Sequence, residues 1–256
     1  MSDRVYVATH KGLFTLERSG GEWQMAGVEF LGNTVTMVLH DPRDGTSYAA
    51  LDHGHFGVKL HRSDDHGRTW PEVAVPVYPA SGDEQDGPSL KEIWSLEISG
   101  PDEPGRLWAG TIPGGLFRSD DRGESWELIE SLWERPERSD WFGGGKDEAG
   151  IHSICVDPRD SRRVTVGVSC GGVWTTADGG DSWEIHASDM HANYMPPERQ
   201  ADPSIQDVHR LVQCRDLPEA LWVQHHNAIY RSTDAAASWT SIDPAAVTSV
   251  FGFTVA

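Results

Sequence analysis

Cysteine and long apolar runs are scarce in this sequence, and each shortage excludes a class of protein. The chain of 256 residues has three cysteines, and no two of them form a Cys-x-x-Cys pair. The first residues lack the apolar run and the small-residue cleavage site of a signal peptide, and no segment is long enough to span a membrane. We therefore expect a cytoplasmic protein with reduced thiols at Cys155, Cys170 and Cys214.

Positive charge is scarce as well. The chain has 21 lysines and arginines against 40 aspartates and glutamates, which gives a formal net charge of −19. Nucleic acids and anionic membranes bind basic surfaces. We therefore expect neither a nucleic acid nor a membrane as a partner.

Helical periodicity and the common catalytic fingerprints are also missing. No long stretch has apolar residues at helical spacing, and the sequence contains no P-loop, dinucleotide fingerprint or nucleophile elbow. Tryptophan, in contrast, is abundant, with 11 residues. Because each indole ring buries a large area, we expect many of them to be structural.

A string of the form Ser/Thr-x-Asp-x-Gly-x-Ser/Thr-Trp is repeated along the chain. Copies begin at Ser63, Ser119 and Thr176, and a fourth copy from Ser232 has Ala236 where glycine belongs. Tryptophans of the copies, and of a remnant near the N-terminus, are spaced by 47, 56, 57 and 56 residues: Trp23, Trp70, Trp126, Trp183 and Trp239. A period near 56 through the whole chain indicates an array of supersecondary units.

Each unit is predicted to contain four short strands, as in "EIWSLEIS", "RLWAGTI", "GLFRSDD" and "SWELI". The repeated string lies between the third and fourth strands, where a tight hairpin is needed. An aspartate can accept bonds from turn amides, and glycine supplies a positive φ. The string lacks the longer loop and terminal glutamate of an EF-hand. We therefore assign a structural role to Asp65, Gly67, Trp70, Asp121, Gly123, Trp126, Asp178, Gly180, Trp183, Asp234 and Trp239.

The repeated string resembles the Asp-box, or BNR repeat, of the sialidase-like β-propellers, and the resemblance covers essentially the whole chain. It implies an all-β fold, a single propeller domain over residues 1–256 with four-stranded antiparallel blades. Five repeats are visible. The C-terminal "TSVFGFTVA" would complete the first blade in a closed five-blade ring, or the chain is a truncated ring of six or seven blades.

The resemblance does not extend to sialidase catalysis. The sialidase pattern requires three arginines, a tyrosine–glutamate pair and an acidic proton donor, and the arginine-isoleucine-proline segment is absent here. We therefore transfer no sialidase catalytic residue to this chain.

A ligand site is predicted on the propeller face opposite the repeated strings, where long links and several histidines lie. Aligned innermost strands place Thr36, Trp94, His152, His209 and Phe251 at equivalent positions near the channel mouth. A polar site there would combine imidazoles, carboxylates and an arginine. The predicted ligand-binding residues are His53, His55, Glu92, Trp94, His152, His209, Arg210 and His225.

Two further groups of residues on that face have alternative interpretations. His53 and His55 in "DHGH" have metal-ligand spacing but no recognisable third ligand, so we assign neither a metal nor a cofactor. The loop aromatics would either stack on a sugar or cover the blade tops; they are Trp133, Trp141, Phe142 and Tyr194.

Two functions are compatible with these features. The first is a cytoplasmic binding propeller that holds a small polar ligand, a glycan or a protein partner at the channel mouth. The alternative is a non-sialidase glycoside hydrolase, which needs two carboxylates at the cleaved bond. The candidates for that pair are Glu92 and Asp207.

Overall fold

The computed structural model describes residues 3–80, 87–242 and 251–255, and in these ranges the structure is almost entirely β. Nineteen described strands form five antiparallel sheets. The helical structure of the described residues is limited to α1 (Glu130–Trp133) and three 3-10 turns at Gly54–Phe56, Pro136–Asp140 and Pro203–Ile205. No helix in these ranges is long and apolar enough to cross a membrane.

The sheets follow one another along the chain. The first contains β1 (Arg4–Thr9), β2 (Gly12–Ser19) and β3 (Glu22–Glu29). The second contains β4 (Thr34–His40), β5 (Ser47–Asp52), β6 (Val58–Ser63) and β7 (Glu72–Val73). The third contains β8 (Glu92–Ile98), β9 (Leu107–Ile112), β10 (Leu116–Ser119) and β11 (Glu127–Leu128). The fourth contains β12 (Ile151–Val156), β13 (Val164–Val168), β14 (Gly172–Thr176) and β15 (Glu184–Ile185). The fifth contains β16 (Val208–Gln213), β17 (Leu221–His225), β18 (Ile229–Ser232) and β19 (Thr240–Ser241).

The sheets pack face to face through apolar side chains, with the innermost strands side by side. Trp108 of β9 and Trp174 of β14 are wholly buried, and both belong to the apolar cluster between the third and fourth sheets. Gly110 of β9 allows the close approach of β12, because a Cβ there would lie 2.3 Å from the Ile151 carbonyl oxygen. The expected structural role of the tryptophans is therefore confirmed for these two.

The repeated turns are closed by the bonds that the sequence predicts. In the second copy, the Ser119 hydroxyl donates to Asp121 Oδ1 and accepts from the Gly123 amide, both at 2.8 Å. The Ser125 amide and hydroxyl donate to the two Asp121 carboxylate oxygens at 2.9 and 2.6 Å. The same four bonds recur in the other three copies.

The fourth repeated turn keeps its shape without glycine. Ala235 and Ala236 have φ angles of +60° and +71°, in the left-handed region that the equivalent pairs of the other three turns also occupy. The Ala236 amide still donates to Ser232 Oγ at 3.0 Å. The hydrogen-bond network therefore holds the turn in a backbone conformation that alanine does not favour.

Each of the four described innermost strands, β4, β8, β12 and β16, has a β-bulge at the same place. The registers skip one residue in each strand: Thr36, Trp94, His152 and His209. A bulge leaves a backbone group unpaired and redirects a side chain. Four of the five residues aligned from the sequence as nearest the channel are therefore the bulged residues, and the fifth, Phe251, has no strand assignment.

The carbonyls beside three of these bulges are bound by side chains from the preceding sheet. Thr36 Oγ1 donates to the Ile93 carbonyl at 3.1 Å, and Ser95 Oγ donates to that of Ile151 at 2.8 Å. His152 Nε2 donates to the Val208 carbonyl at 2.6 Å. These bonds join the second, third, fourth and fifth sheets around a common centre.

The predicted C-terminal innermost strand is only partly described. Residues 251–255 have no strand assignment, and the preceding residues of "TSVFGFTVA" lie outside the described ranges. The first sheet accordingly has three described strands. Closure of the ring and the number of blades stay predictions.

Candidate functional site

The strand register defines two opposite ends of the sheets. Glu92 at the start of β8 pairs with Ile112, whereas Ile98 pairs with Leu107, and Leu107 pairs with Ser119 of a repeated turn. The starts of the innermost strands and the repeated turns are therefore at opposite ends. We call the end where the innermost strands begin the mouth end.

A cavity of about 360 Å³ lies at the mouth end. Volumes of this size hold a small ligand, and such cavities usually combine apolar walls with a few polar groups. Its lining has this composition, with three aromatic side chains, three histidines, one carboxylate and one ammonium group: Trp94, Phe251, Phe253, His152, His209, His226, Asp207 and Lys146. We call it the mouth cavity.

Asp207, His209 and His226 form the polar centre of the mouth cavity. His209 Nε2 and His226 Nδ1 each lie 3.1 Å from Asp207 Oδ2. Asp207 immediately precedes β16 and His209 is the bulged residue of that strand. His226 follows β17, and its amide donates to the Asp207 carbonyl, which fixes this turn beside the start of β16.

The electrostatics of this group favour an ionised carboxylate. Burial alone would raise the pKa of Asp207, but the hydrogen bond with His209 and the charges of the two histidines lower it to about 2. Burial alone would lower the pKa of His209, but its bonds to Asp207 and to the Gly252 carbonyl outweigh burial and raise it. The Asp207 carboxylate can therefore act as a nucleophile or as a ligand to a cation, whereas its low pKa makes it a weak base.

A glycine-rich link covers the Asp207 carboxylate. A Cβ added to Gly144 would lie 3.2 Å from both carboxylate oxygens and 3.2 Å from Cys170 Sγ. Burial, followed by the charge of Asp207, raises the pKa of the Cys170 thiol. Cys170 is therefore a neutral thiol that donates a hydrogen bond to the carboxylate, and glycine at position 144 lets the link approach it.

The same link brings an ammonium group to the second candidate carboxylate. Lys146 Nζ binds Glu92 Oε2 at 2.8 Å and lies 5.5 Å from the centre of the Trp94 ring. Trp94 lines the mouth cavity as predicted, with its ring edge-to-face against that of His152 at 5.5 Å. Glu92 is thus attached to the rim of the cavity through Lys146.

His152 is a wall of the mouth cavity whose ring nitrogens already have partners. It is buried, with Nδ1 at 2.8 Å from the Ser153 hydroxyl and Nε2 bound to the Val208 carbonyl. Burial lowers its pKa to about 4. His152 is therefore a neutral residue that joins two sheets and presents its ring, not a free nitrogen, to a ligand.

The structure places Arg210 away from the predicted site. It lines a second cavity, at the end of the repeated turns, together with Arg43, Glu97 and Arg215. Its guanidinium Nη1 lies 3.5 Å from the His152 carbonyl oxygen. Arg210 is therefore not among the residues that line the mouth cavity, and its assignment as a ligand-binding residue stays a prediction.

His225 is also placed differently from the prediction. It is wholly buried, its ring packs against Tyr230 at 5.5 Å, and its Nδ1 accepts from the Asn227 amide. Burial lowers its pKa to about 4. The neighbouring His226, which we did not include among the ligand-binding residues, lines the cavity instead.

His53 precedes the 3-10 turn Gly54–Phe56 after β5, and His55 lies within it. Neither is among the residues that line the mouth cavity. Of the loop aromatics, Trp133 packs against Tyr78 and carries Arg138 3.4 Å above its ring, and Trp141 packs against Trp174. These rings cover apolar sheet surface. Tyr194 lies nearer the site, because its ring contacts His226 at 4.9 Å.

Comparison with known structures supports the fold. The GH74 xyloglucanase from Xanthomonas campestris superimposes with a TM-score of 0.56 at 18% identity, over 96% of this chain and 44% of that structure. An ancestral GH74 enzyme gives a TM-score of 0.57 at 17% identity, over 82% of this chain and 24% of that structure. The fold is β-propeller-like. These likenesses support a propeller without singling out the sialidase-like branch that the repeated string resembles.

Curated relatives include xyloglucan-degrading enzymes. The chain is 32% identical over 126 residues to an oligoxyloglucan-reducing end-specific xyloglucanase of Emericella nidulans, which covers 48% of this chain and 14% of the fungal protein. It is 23% identical over 197 residues to a probable enzyme of the same name from Neosartorya fischeri, which covers 71% of this chain and 22% of that protein. The chain thus spans less than a quarter of either protein. No protein-family model matches it.

Proposed function

We propose that this protein is a glycoside-hydrolase-like β-propeller that binds a glycan in the mouth cavity. The supporting observation is a cavity at the mouth end that combines aromatic walls with a buried carboxylate, in a chain similar to xyloglucanases. A sugar ring has both apolar faces and hydroxyl edges. The rings of Trp94, Phe251 and Phe253 suit its faces, and Asp207 and Lys146 suit its hydroxyl groups.

Hydrolysis of a glycosidic bond requires two carboxyl groups with different roles. Asp207, held as a carboxylate by two imidazoles, would act as the nucleophile. Glu92, at the rim, would act as the acid once it leaves its ion pair with Lys146 and takes up a proton. The similarity to xyloglucanases favours this interpretation over a propeller that only binds its ligand.

Incubation of the purified full chain with xyloglucan oligosaccharides, analysed by mass spectrometry of the products, tests the proposal. We expect cleavage by the wild type and a loss of about 10²- to 10⁴-fold in rate for Asp207→Asn and Glu92→Gln, because each removes one acid–base group. Glu148→Gln is the matched control, because Glu148 is a partly exposed carboxylate of the same link as Lys146 and is paired with Lys91. This variant should keep the wild-type activity.

Three outcomes would contradict the proposal in whole or in part. Absence of both binding and cleavage across xyloglucan and cello-oligosaccharides would reject a glycan-binding cavity. Binding without cleavage would reject the hydrolase and leave a glycan-binding propeller. Cleavage that survives in Asp207→Asn and Glu92→Gln would place the catalytic carboxylates elsewhere.

A further inference from the structure

We propose that Asp207, His209 and His226 form a binding site for a divalent transition-metal cation of the Zn²⁺ type. The inference goes beyond the proposed function, because it concerns the free protein and requires no glycan. One ligand atom from each residue lies within 4.8 Å of the other two. Two imidazoles and one carboxylate are a recurring ligand set for such cations.

The spacing of the three ligand atoms suits an ion with little rearrangement. Ligation at about 2.1 Å in tetrahedral geometry places the ligand atoms about 3.4 Å from one another. Asp207 Oδ2 lies 3.1 Å from both His209 Nε2 and His226 Nδ1. Small rotations of the side chains would therefore admit the cation between them.

The outer hydrogen bond of His209 supports the same assignment. Its Nδ1 faces the Gly252 carbonyl at 2.5 Å, and a carbonyl can only accept. With the Nδ1 proton held by this carbonyl, Nε2 is the ring nitrogen that faces Asp207 Oδ2 and that can bind a cation beside it. A ligating histidine typically donates its other N–H to a backbone carbonyl in this way.

The backbone fixes these ligands on two adjacent elements. His209 is the bulged residue of β16, and the amide of His226 donates to the carbonyl of Asp207 at 3.0 Å. Gly144 covers the Asp207 carboxylate closely, because it has no side chain that would press against the carboxylate oxygens. The ligand geometry is therefore set by the main chain as well as by the side chains.

The group is buried on one side and open on the other. The side chains of Asp207 and His209 are 7% and 10% exposed, whereas that of His226 is 37% exposed. An ion can therefore enter past His226. With three protein ligands, the remaining coordination position would face the mouth cavity, where water or a sugar hydroxyl group can bind.

Isothermal titration of Zn²⁺ into untagged, EDTA-stripped full-length chain tests the site, with Co²⁺ visible absorption as a second readout. We expect one ion per chain and Co²⁺ bands typical of four or five ligands. Asp207→Asn, His209→Ala and His226→Ala should each weaken binding by at least 10-fold, as loss of a metal ligand does. His55→Ala, which removes an exposed histidine of "DHGH", should bind as the wild type does.

His226→Ala keeps the test decisive if the more buried variants fail to fold, because His226 is partly exposed. No binding to the wild type would overturn the proposal, as would equal binding by wild type and His226→Ala. Binding that falls in His55→Ala and not in His226→Ala would place the ion in "DHGH" instead. Since no glycan is present, these results are independent of whether the protein cleaves xyloglucan.

Discussion

At the scale of single residues, one backbone position has three different uses in four sheets. The bulged residue of the innermost strand is Thr36, Trp94, His152 or His209, depending on the sheet. Thr36 and His152 bind a carbonyl of the next sheet, and Trp94 forms a wall of the cavity. His209 faces Asp207 because a carboxylate comes two residues before it. The role of each bulged residue therefore depends on its side chain and on the residues around it, whereas the bulge itself is common to the four strands.

The first prediction concerns strain in the fourth repeated turn. Left-handed backbone costs alanine about 1–2 kcal/mol, whereas glycine adopts it freely but adds about 0.4–1 kcal/mol of entropy to the unfolded chain. Ala235 is exposed and has a φ of +60°, so replacing it removes no buried methyl group. We expect Ala235→Gly to raise the free energy of unfolding by roughly 0.5–1 kcal/mol in urea denaturation.

Ala237→Gly is the matched control in the same turn, because Ala237 is exposed but lies outside the left-handed pair. At Ala237 no backbone strain is relieved, and glycine only increases the entropy of the unfolded chain. We therefore expect the free energy of unfolding of Ala237→Gly to fall by about 0.4–1 kcal/mol. A stability decrease in both variants would show that the turn does not strain Ala235.

At the scale of strands and turns, local pattern was sufficient to predict most of the structure. Alternation and turn residues predicted β8 and β9 to within one residue at each end, because each strand and hairpin depends on neighbours in the sequence. The predicted third and fourth strands, "GLFRSDD" and "SWELI", are longer than β10 and β11. The alignment also placed Asp207 and His209 correctly at the mouth end.

The errors came from features that local pattern does not determine. Arg210 lines the cavity at the end of the repeated turns, and the bulge just before it is a departure from regular alternation that the sequence pattern does not show. His225 was chosen over His226, although alternation along β17 places His225 on the same buried face as Leu221 and Val223. The approach of Gly144 and Lys146 depends on how a long link folds over the sheets, which no periodicity encodes.

The second prediction concerns acid sensitivity of the repeated turns. Hydrogen bonds from Ser182 and Thr176 lower the pKa of Asp178 to about 2, below the value of about 3.9 expected for an unfolded chain. Because the folded pKa is the lower one, the stabilisation is complete above about pH 4 and is lost as the pH falls toward 2. We expect Asp178→Asn to be less stable than wild type at pH 7, and the difference to shrink between pH 4 and pH 2.

Urea denaturation of both proteins across this pH range measures the effect. Asp181→Asn in the same turn is the control, since Asp178 is the residue that accepts the bonds from Ser182 and Thr176. A difference between wild type and Asp178→Asn that stays constant from pH 7 to pH 2 would argue against an ionised carboxylate as the hydrogen-bond acceptor of the turn.

At the scale of the whole molecule, charge is strongly unbalanced. The 21 basic residues leave an excess of acidic groups and a net charge of −19. Many ion pairs of the described residues are partly exposed, such as Lys59 with Glu72 and Arg159 with Glu219. Pairs of this kind contribute about 0–1 kcal/mol each and are weakened by salt. Salt therefore has two opposite effects, since it also screens the repulsion among the excess carboxylates.

We expect the repulsion to be the larger effect, because the ion pairs are local whereas the excess charge acts across the whole surface. Raising NaCl from about 10 mM to about 150 mM shortens the screening length from about 30 Å to about 8 Å. The melting temperature at pH 7.5 should then rise by about 2–4 °C for each 1 kcal/mol of repulsion removed. At pH 5, near the isoelectric point of about 4.9, the net charge is close to zero and the same salt step should not raise it. Scanning calorimetry with EDTA in every buffer, to exclude metal binding, gives both values. A melting temperature that falls with salt at pH 7.5 would mean that the ion pairs stabilise the protein by more than the repulsion among the excess carboxylates destabilises it.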